Sequence, residues 1–352
     1  MTGRNIKQEE INNRTYAKII NDEEITQPAY ILGFFNFLAQ KSANTRRTYV
    51  YDLIKLYKYL VNTKGYPKPL SKEDFIHLFT EVLNLDLLQD FLNMNNASPA
   101  TYNSRKSSIC KFFDYLIAEG QAMINLCDRL DHAKIYRDAK EPLTDSQLDK
   151  LLYNAYNPED IATLSYRKRE KYRELPGMYP LMIEIAFATG MRVSSLLEIN
   201  LEDIDFNNNV IHTIVKGNKP FDCYISKDLT QAIREWIKTR AQIMGNKRYE
   251  HNFLWIMPKT FKPMTSYHFD EILEELSCDI GYKVAAHDLR RKAGYEFHKS
   301  CGGDLRQTQE FLGHSSPNTT ALYTFVGKDQ KRNMADKMGK MLQKSRRHMH
   351  NK

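Results

Sequence analysis

Four side chains near the C-terminal end of this 352-residue chain have the right types to do chemistry together: His287, Arg290, His314 and Tyr323. They lie in AHDLRRKAGYEFHKSCGGDLRQTQEFLGHSSPNTTALYTFV, which begins at Ala286. A guanidinium forks onto phosphate oxygens. Imidazoles hold or move protons near neutral pH. A phenol is a potential covalent nucleophile. That combination suits attack on a phosphodiester without a metal.

The elements that must position them are legible nearby. The pattern predicts a helix over 286–300, which puts His287 and Arg290, three apart, on one face. Gly302-Gly303 ends it. Asp304 caps a second helix over 305–312, and Gly313 stops that helix before His314. Ser315, Ser316 and Pro317 make a turn, after which Asn318 or Thr319 caps a short helix carrying Tyr323.

This stretch closely resembles the C-terminal box of the tyrosine recombinase (phage integrase, Xer-like) family, in HDLR, the LGH turn at 312–314 and ALYTFV around Tyr323. Upstream, ATGMRVSSLLEINLEDIDF (188–206) resembles the family's first arginine box, with Arg192 in the catalytic position. Between them VKGNKPFDCYI (215–225) resembles the β-hairpin that carries the catalytic lysine. Lys216 is the match there, with Lys219 its rival. The three boxes occur in family order with family-like spacing.

The resemblance implies a mechanism that the residues can support. A phenol has a pKa of about 10, so Tyr323 needs help to act. Arg192 and Arg290 bind the non-bridging oxygens of the scissile phosphate and strengthen as charge builds in the transition state. His314 adds a hydrogen bond to that phosphate, and His287 is the candidate for accepting the tyrosine proton. Lys216 protonates the leaving 5′ oxygen. The implied product is a 3′-phosphotyrosine and a free 5′ hydroxyl, with no metal, no cofactor and no ATP. There are departures. Ser195 stands where the family often has an acid. Arg291-Lys292 follow Arg290 where His-Thr is common, and either contact phosphate or form a solvated edge.

The remaining chain reads as two domains. Residues 1–25 are an N-terminal extension, either a frayed tail or a helix that docks on a partner subunit. Residues 26–128 read as a small all-helical domain. Ile31, Phe34, Phe35 and Leu38 sit at helical spacing, and Ser42 or Asn44 caps a second helix. A third covers 83–94, and Ser98-Pro99 opens a fourth over 100–118. Thr45, Arg46 and Arg47 begin one of these helices; Asn103, Arg105 and Lys106 lie near the start of another. By themselves they are ordinary solvated faces. The resemblance makes them, with Arg291 and Lys292, the candidate DNA-binding residues of a core-binding domain. Residues 129–141 are a charged linker and 142–327 the catalytic domain, with short strands at 210–215 and 221–225 and an extended piece at 253–257. The basic stretch at 155–178 is a loop or an extended helix. Residues 328–352 hold a helix, with apolar Met334, Met338 and Met341, that docks on its own domain or on a neighbouring subunit, and then a basic tail. The expected fold is therefore mainly α with a small antiparallel sheet, and the resemblance implies a two-domain C-shaped clamp.

Composition agrees with a polyanionic partner. There are 51 Lys and Arg against 43 Asp and Glu, a formal charge of +8. This favours double-stranded DNA, although charge alone does not separate nucleic acid from a membrane surface. No apolar run reaches spanning length, and five scattered cysteines suit a reduced, intracellular protein; the resemblance implies a cytoplasmic one, nucleoid-associated in use. The expected activity is site-specific recombination by a homo-tetramer on two duplexes through a Holliday junction. The free protein is expected as a monomer, with accessory proteins as further partners. The alternatives are a topoisomerase IB-like nicking-closing enzyme and an inactive DNA-binding relative.

Overall fold

The computed structural model of the chain describes residues 3–25, 27–135, 140–215 and 219–313. Two compact units divide it, residues 1–136 and 137–352.

The N-terminal unit is helical. It contains α1 (Gly3–Ile20), α2 (Pro28–Phe37), α3 (Ala43–Lys58), α4 (Lys72–His77), α5 (Leu85–Asn93) and α6 (Pro99–Ala118). The starts of α3 and α6 follow from capping chemistry. Ser42 and Ser98 are extended, and each hydroxyl accepts the backbone N–H three residues on, from Thr45 at 3.3 Å and Thr101 at 3.2 Å. Pro99 sits in the first turn of α6, where its missing N–H costs nothing. The core is aromatic: Phe79 meets Phe112 at 4.9 Å between centroids, and Phe112 meets Phe34 at 5.3 Å, both edge-on.

Two helices depart from the sequence-based expectations, α1 in where it docks and α4 in being there at all. The segment read as a tail or a partner-docking helix is α1. Its Thr15 and Ile19 are fully buried, and Lys18 of α1 and Lys58 of α3 both pair with Asp22. The short α4 is fixed by a reciprocal cap between Ser71 and Asp74.

The C-terminal unit contains α7 (Asp145–Tyr156), α8 (Tyr166–Glu174), α9 (Met178–Thr189), α10 (Val193–Leu197), α11 (Lys227–Met244), α12 (Ser266–Leu276), α13 (Ala286–Ser300) and α14 (Leu305–Leu312). An antiparallel sheet in the order β1 (Ile204–Asp205), β2 (Val210–Val215) and β3 (Lys219–Tyr224) lies between α10 and α11. The β2–β3 pairing runs from Val210 opposite Tyr224 to Val215 opposite Lys219. The protein is thus mainly helical with a small antiparallel sheet. The long α11, unmarked in the sequence reading, is capped by Ser226 and buries Ile233 and Trp236. The segment expected to be extended at 253–257 makes two isolated bridges, Asn200 with Phe253 and Ile256 with Pro263, rather than a strand. Trp255 at its centre is fully buried and donates to Leu196 O at 2.7 Å, which holds α10 in place.

The basic stretch at 155–178 contains α8, and four of its five cations are paired inside the unit. Arg169 donates to Ile161 O at 2.9 Å, Arg173 meets Glu159 at 2.8 Å and Lys171 meets Glu275 at 2.5 Å. No helix among the described residues is long and apolar enough to cross a membrane.

Candidate active site

The first arginine is placed by a glycine. α9 ends at Gly190, whose φ of +58° is left-handed. The chain then turns, and Arg192 becomes the extended N-cap residue of α10. Gly190 is also a contact point. A Cβ there would lie 3.0 Å from both Leu312 Cδ2 and Phe311 Cε1. Only glycine allows α9 and α14 to approach so closely in that conformation.

The second arginine ties the same two helix ends together. Arg290 on α13 is 3 % exposed. Its Nη1 donates to Gly190 O at 2.5 Å and its Nη2 to Leu312 O at 2.7 Å. These are C-terminal carbonyls of α9 and α14, groups that a helix leaves without internal partners and that carry its negative dipole end. The two sequence boxes, a hundred residues apart, therefore meet on one guanidinium.

The carriers of two further candidates arrive at the same place. Gly313, left-handed at φ +59°, ends α14 immediately before His314. A Cβ on Gly313 would lie 3.2 Å from Val215 Cγ1 and 3.3 Å from Phe221 Cε2. Val215 is the residue before Lys216. The Ser195 hydroxyl lies 3.4 Å from Ile214 O, a long contact between α10 and β2 where the family often has an acid. Lys216, His314 and Tyr323 themselves, and the helix expected in 328–352, lie outside the described residues.

Three described candidates differ in state. Arg192 is half-buried, and its guanidinium makes no hydrogen bond or ion pair with another described residue. Arg290 is buried and engaged. His287, in the first turn of α13, is exposed at its surface. Partial loss of water around the ring holds its pKa below the ordinary 6.5, and the charges of Arg291, Arg290 and Arg192 push the same way against Asp288. The imidazole is thereby kept neutral and able to accept a proton. Asp288, buried beside it, was missed in the sequence. Its carboxylate accepts from Ala285 N at 3.1 Å and Arg291 Nη1 at 2.5 Å, and Lys140 Nζ stands 3.6 Å away. Its signal was an acid three residues after an extended residue at a helix start.

The candidate DNA-binding residues divide by what they already hold. Arg47 is exposed, and Thr45 is partly exposed at the first turn of α3. Arg46 stacks 3.7 Å over Phe35 and donates to Phe35 O. Arg105 donates through Nη1 to Phe91, Leu92 and Met94 carbonyls at the end of α5. Asn103 bonds the backbone of Ala133. Lys106 is buried. Lys292 is buried between Asp145 of α7 and Glu296 of its own helix, and those two carboxylates hold its pKa up against burial. These side chains make contacts within the protein where the sequence reading placed phosphates. Among the described residues, no group of three or more His, Cys, Asp or Glu could hold a metal ion.

Known proteins resemble the chain along most of its length. Residues 143–330 match the family model described as the phage integrase family. The tyrosine recombinase XerD of Listeria monocytogenes is 26 % identical over 306 residues, covering 85 % of this chain and 94 % of its own. A XerC of Herpetosiphon aurantiacus is 28 % identical over 296 residues, covering 82 % and 87 %. Two solved structures share the fold. The XerH recombinase bound to a palindromic difH substrate superposes with a TM-score of 0.60 at 19 % identity, covering 92 % of this chain and 94 % of that one. A lambda integrase tetramer bound to a Holliday junction gives 0.57 at 17 % identity, covering 87 % and 79 %. With the family match spanning more than half of its 352 residues, and the arginine box and the His-Arg helix drawn to one point, the chain belongs to the phage integrase family of tyrosine site-specific recombinases.

Proposed function

We propose that this protein cuts and rejoins double-stranded DNA at a specific site through a 3′-phosphotyrosyl link to Tyr323. One observation supports this most. The buried Arg290 joins the turn before Arg192 to the helix end before His314, and that end packs against the residue before Lys216. Arg290, the turn before Arg192 and the described neighbours of Lys216 and His314 thereby meet at one pole, and His287 is on the same helix face as Arg290.

In this reading Arg192, without a described partner, takes the non-bridging oxygens of the scissile phosphate. Arg290 adds a desolvated cation close behind it, and His314 adds a hydrogen bond. Their combined charge opposes the charge that grows as the phosphorus becomes pentacoordinate. His287, held neutral, accepts the phenolic proton as the Tyr323 oxygen bonds to phosphorus. The bond from phosphorus to the 5′ oxygen breaks, and Lys216 donates a proton to that oxygen. Binding of the phosphate raises the His287 pKa, which improves it as a base. The bond energy stays in the phosphotyrosine, so a free 5′ hydroxyl can reverse the step without ATP. Repeated between two duplexes, the exchange passes through a Holliday junction, and four copies of the chain supply the four active tyrosines. Arg47 and Thr45 add phosphate contacts from the N-terminal unit.

The test is a DNA site selected by binding to the protein, nicked near the cut so the 5′ fragment is lost. Incubated in EDTA and run on a denaturing gel, it is expected to yield a covalent protein–DNA species. Tight binding with no such species would support the inactive relative instead. Turnover of a lone site with no joining between sites would support a nicking-closing enzyme.

A further inference from the structure

Residues 131–135, which follow the short turn Leu126–Arg129, form neither helix nor strand. A backbone in that state must find its hydrogen bonds in water or on side chains. Ala133 finds both of its own on a single side chain. Its N–H donates to Asn103 Oδ1 at 2.8 Å, and its carbonyl accepts from Asn103 Nδ2 at 2.8 Å. These are the only hydrogen bonds that residues 131–135 make to the described residues. The carboxamide stands in for the peptide group of a paired strand, offering one donor and one acceptor side by side. No other side chain of that size does so: Asp lacks the donor and Leu lacks both.

The anchor is firm at each end. Asn103 lies in the second turn of α6, between the buried Tyr102 and a helix face that carries Lys106 and Ser107. The neighbouring Arg105 fastens the end of α5 to the same turn. Ala133 is partly buried and packs against the core of the N-terminal unit.

We propose that Asn103 is a positioning residue for DNA cleavage, fixing the direction in which the chain leaves the N-terminal unit. It does this in place of reading DNA. The inference rests on the recombinase reading above. An enzyme that engages one duplex with two units loses less freedom on binding when the segment leaving one of them is already oriented.

The test uses full-length protein with Asn103→Ala and Asn103→Asp. Without DNA, the Ala133 amide is expected to exchange hydrogen about tenfold faster in Asn103→Ala, the worth of roughly one hydrogen bond. Amides within α5 and α6 keep their protection, which shows the unit is folded. Asn103→Asp retains the acceptor and keeps much of the Ala133 protection. On the nicked substrate at saturating protein, Asn103→Ala forms the covalent species more slowly, by about threefold or more, with base preference unchanged at every position of the site. Asn103→Asp falls between it and wild type. Unchanged Ala133 exchange, a wild-type cleavage rate in Asn103→Ala, or lost preference at a single base pair would each overturn the proposal. Wild-type protein that makes no covalent species would overturn the recombinase reading itself, an outcome separate from equal rates in the two proteins.

Discussion

Arg290→Ala and Arg192→Ala remove the same group from the same pole, yet they are expected to differ in stability. Arg290 is 3 % exposed and donates to Gly190 O at 2.5 Å and Leu312 O at 2.7 Å. Hydrogen bonds from a charged donor contribute roughly 1.5–3 kcal/mol each. Against this stands the cost of taking a cation out of water, which is several kcal/mol. Truncation relieves that cost but leaves two carbonyls short of partners, at roughly 1–3 kcal/mol apiece. The net loss for Arg290→Ala is about 2–4 kcal/mol. The Arg192 guanidinium has no hydrogen-bond or ion-pair partner among the described residues, so Arg192→Ala should stay within about 0.5 kcal/mol. Tryptophan fluorescence in urea separates the two. The chain has 2 Trp, Trp236 and Trp255, both buried in the C-terminal unit, so the signal reports that unit even if the two unfold separately. With a urea slope of about 2–3 kcal/mol per molar, the Arg290→Ala midpoint should fall by about 1 M and the Arg192→Ala midpoint should hardly move. Equal midpoints, or a larger loss in Arg192→Ala, would refute the role given to Arg290 as a joint between the two helix ends.

Three further outcomes are expected. Gly190→Ala puts a methyl group 3.0 Å from Leu312 and Phe311 in a left-handed conformation, so it should lower stability by about 2–4 kcal/mol in the same urea assay. The His287 imidazole, followed by NMR in the DNA-free protein, should titrate below 6.5, and Arg291→Gln should move its midpoint upward. Because the folded pKa is depressed, the unfolded chain takes up this proton first, and His287 lowers stability as pH falls below 6.5; His287→Gln removes that dependence. Arg47→Ala should flatten the dependence of DNA affinity on salt by about one charge. Arg105→Ala should instead destabilise the N-terminal unit, read as faster hydrogen exchange at the end of α5.

The sequence was most legible where structure is decided by neighbours in the chain. Caps at Ser42, Ser98 and Asp304 and stops at Gly302, Gly303 and Gly313 all act within a turn. α13 accordingly ends, and α14 begins and ends, where those residues place them. What the sequence hid was set by distant approach. Arg105 and Lys292 read as solvent- or phosphate-facing cations because nothing local shows that three α5 carbonyls or Asp145 come to meet them. Arg290 and His287 share a helix face by spacing, but spacing does not say that one is buried between two carbonyls and the other open. Nor did it reveal that 253–257 pairs by isolated bridges, since its apolar run fits a strand and a buried loop equally. α1 was obscured by polar composition: its burial comes from a few positions such as Thr15 and Ile19.

The proposed chemistry requires that Tyr323 become joined to DNA. The most direct measurement traps wild-type protein on the nicked substrate in EDTA, trims the DNA with nuclease, digests the protein and locates the modified peptide by mass spectrometry, with Tyr323→Phe run alongside. The expected result is a nucleotide 3′-phosphate on Tyr323 and no covalent species in Tyr323→Phe. A nucleotide on another residue, or a covalent species that survives in Tyr323→Phe, would contradict it.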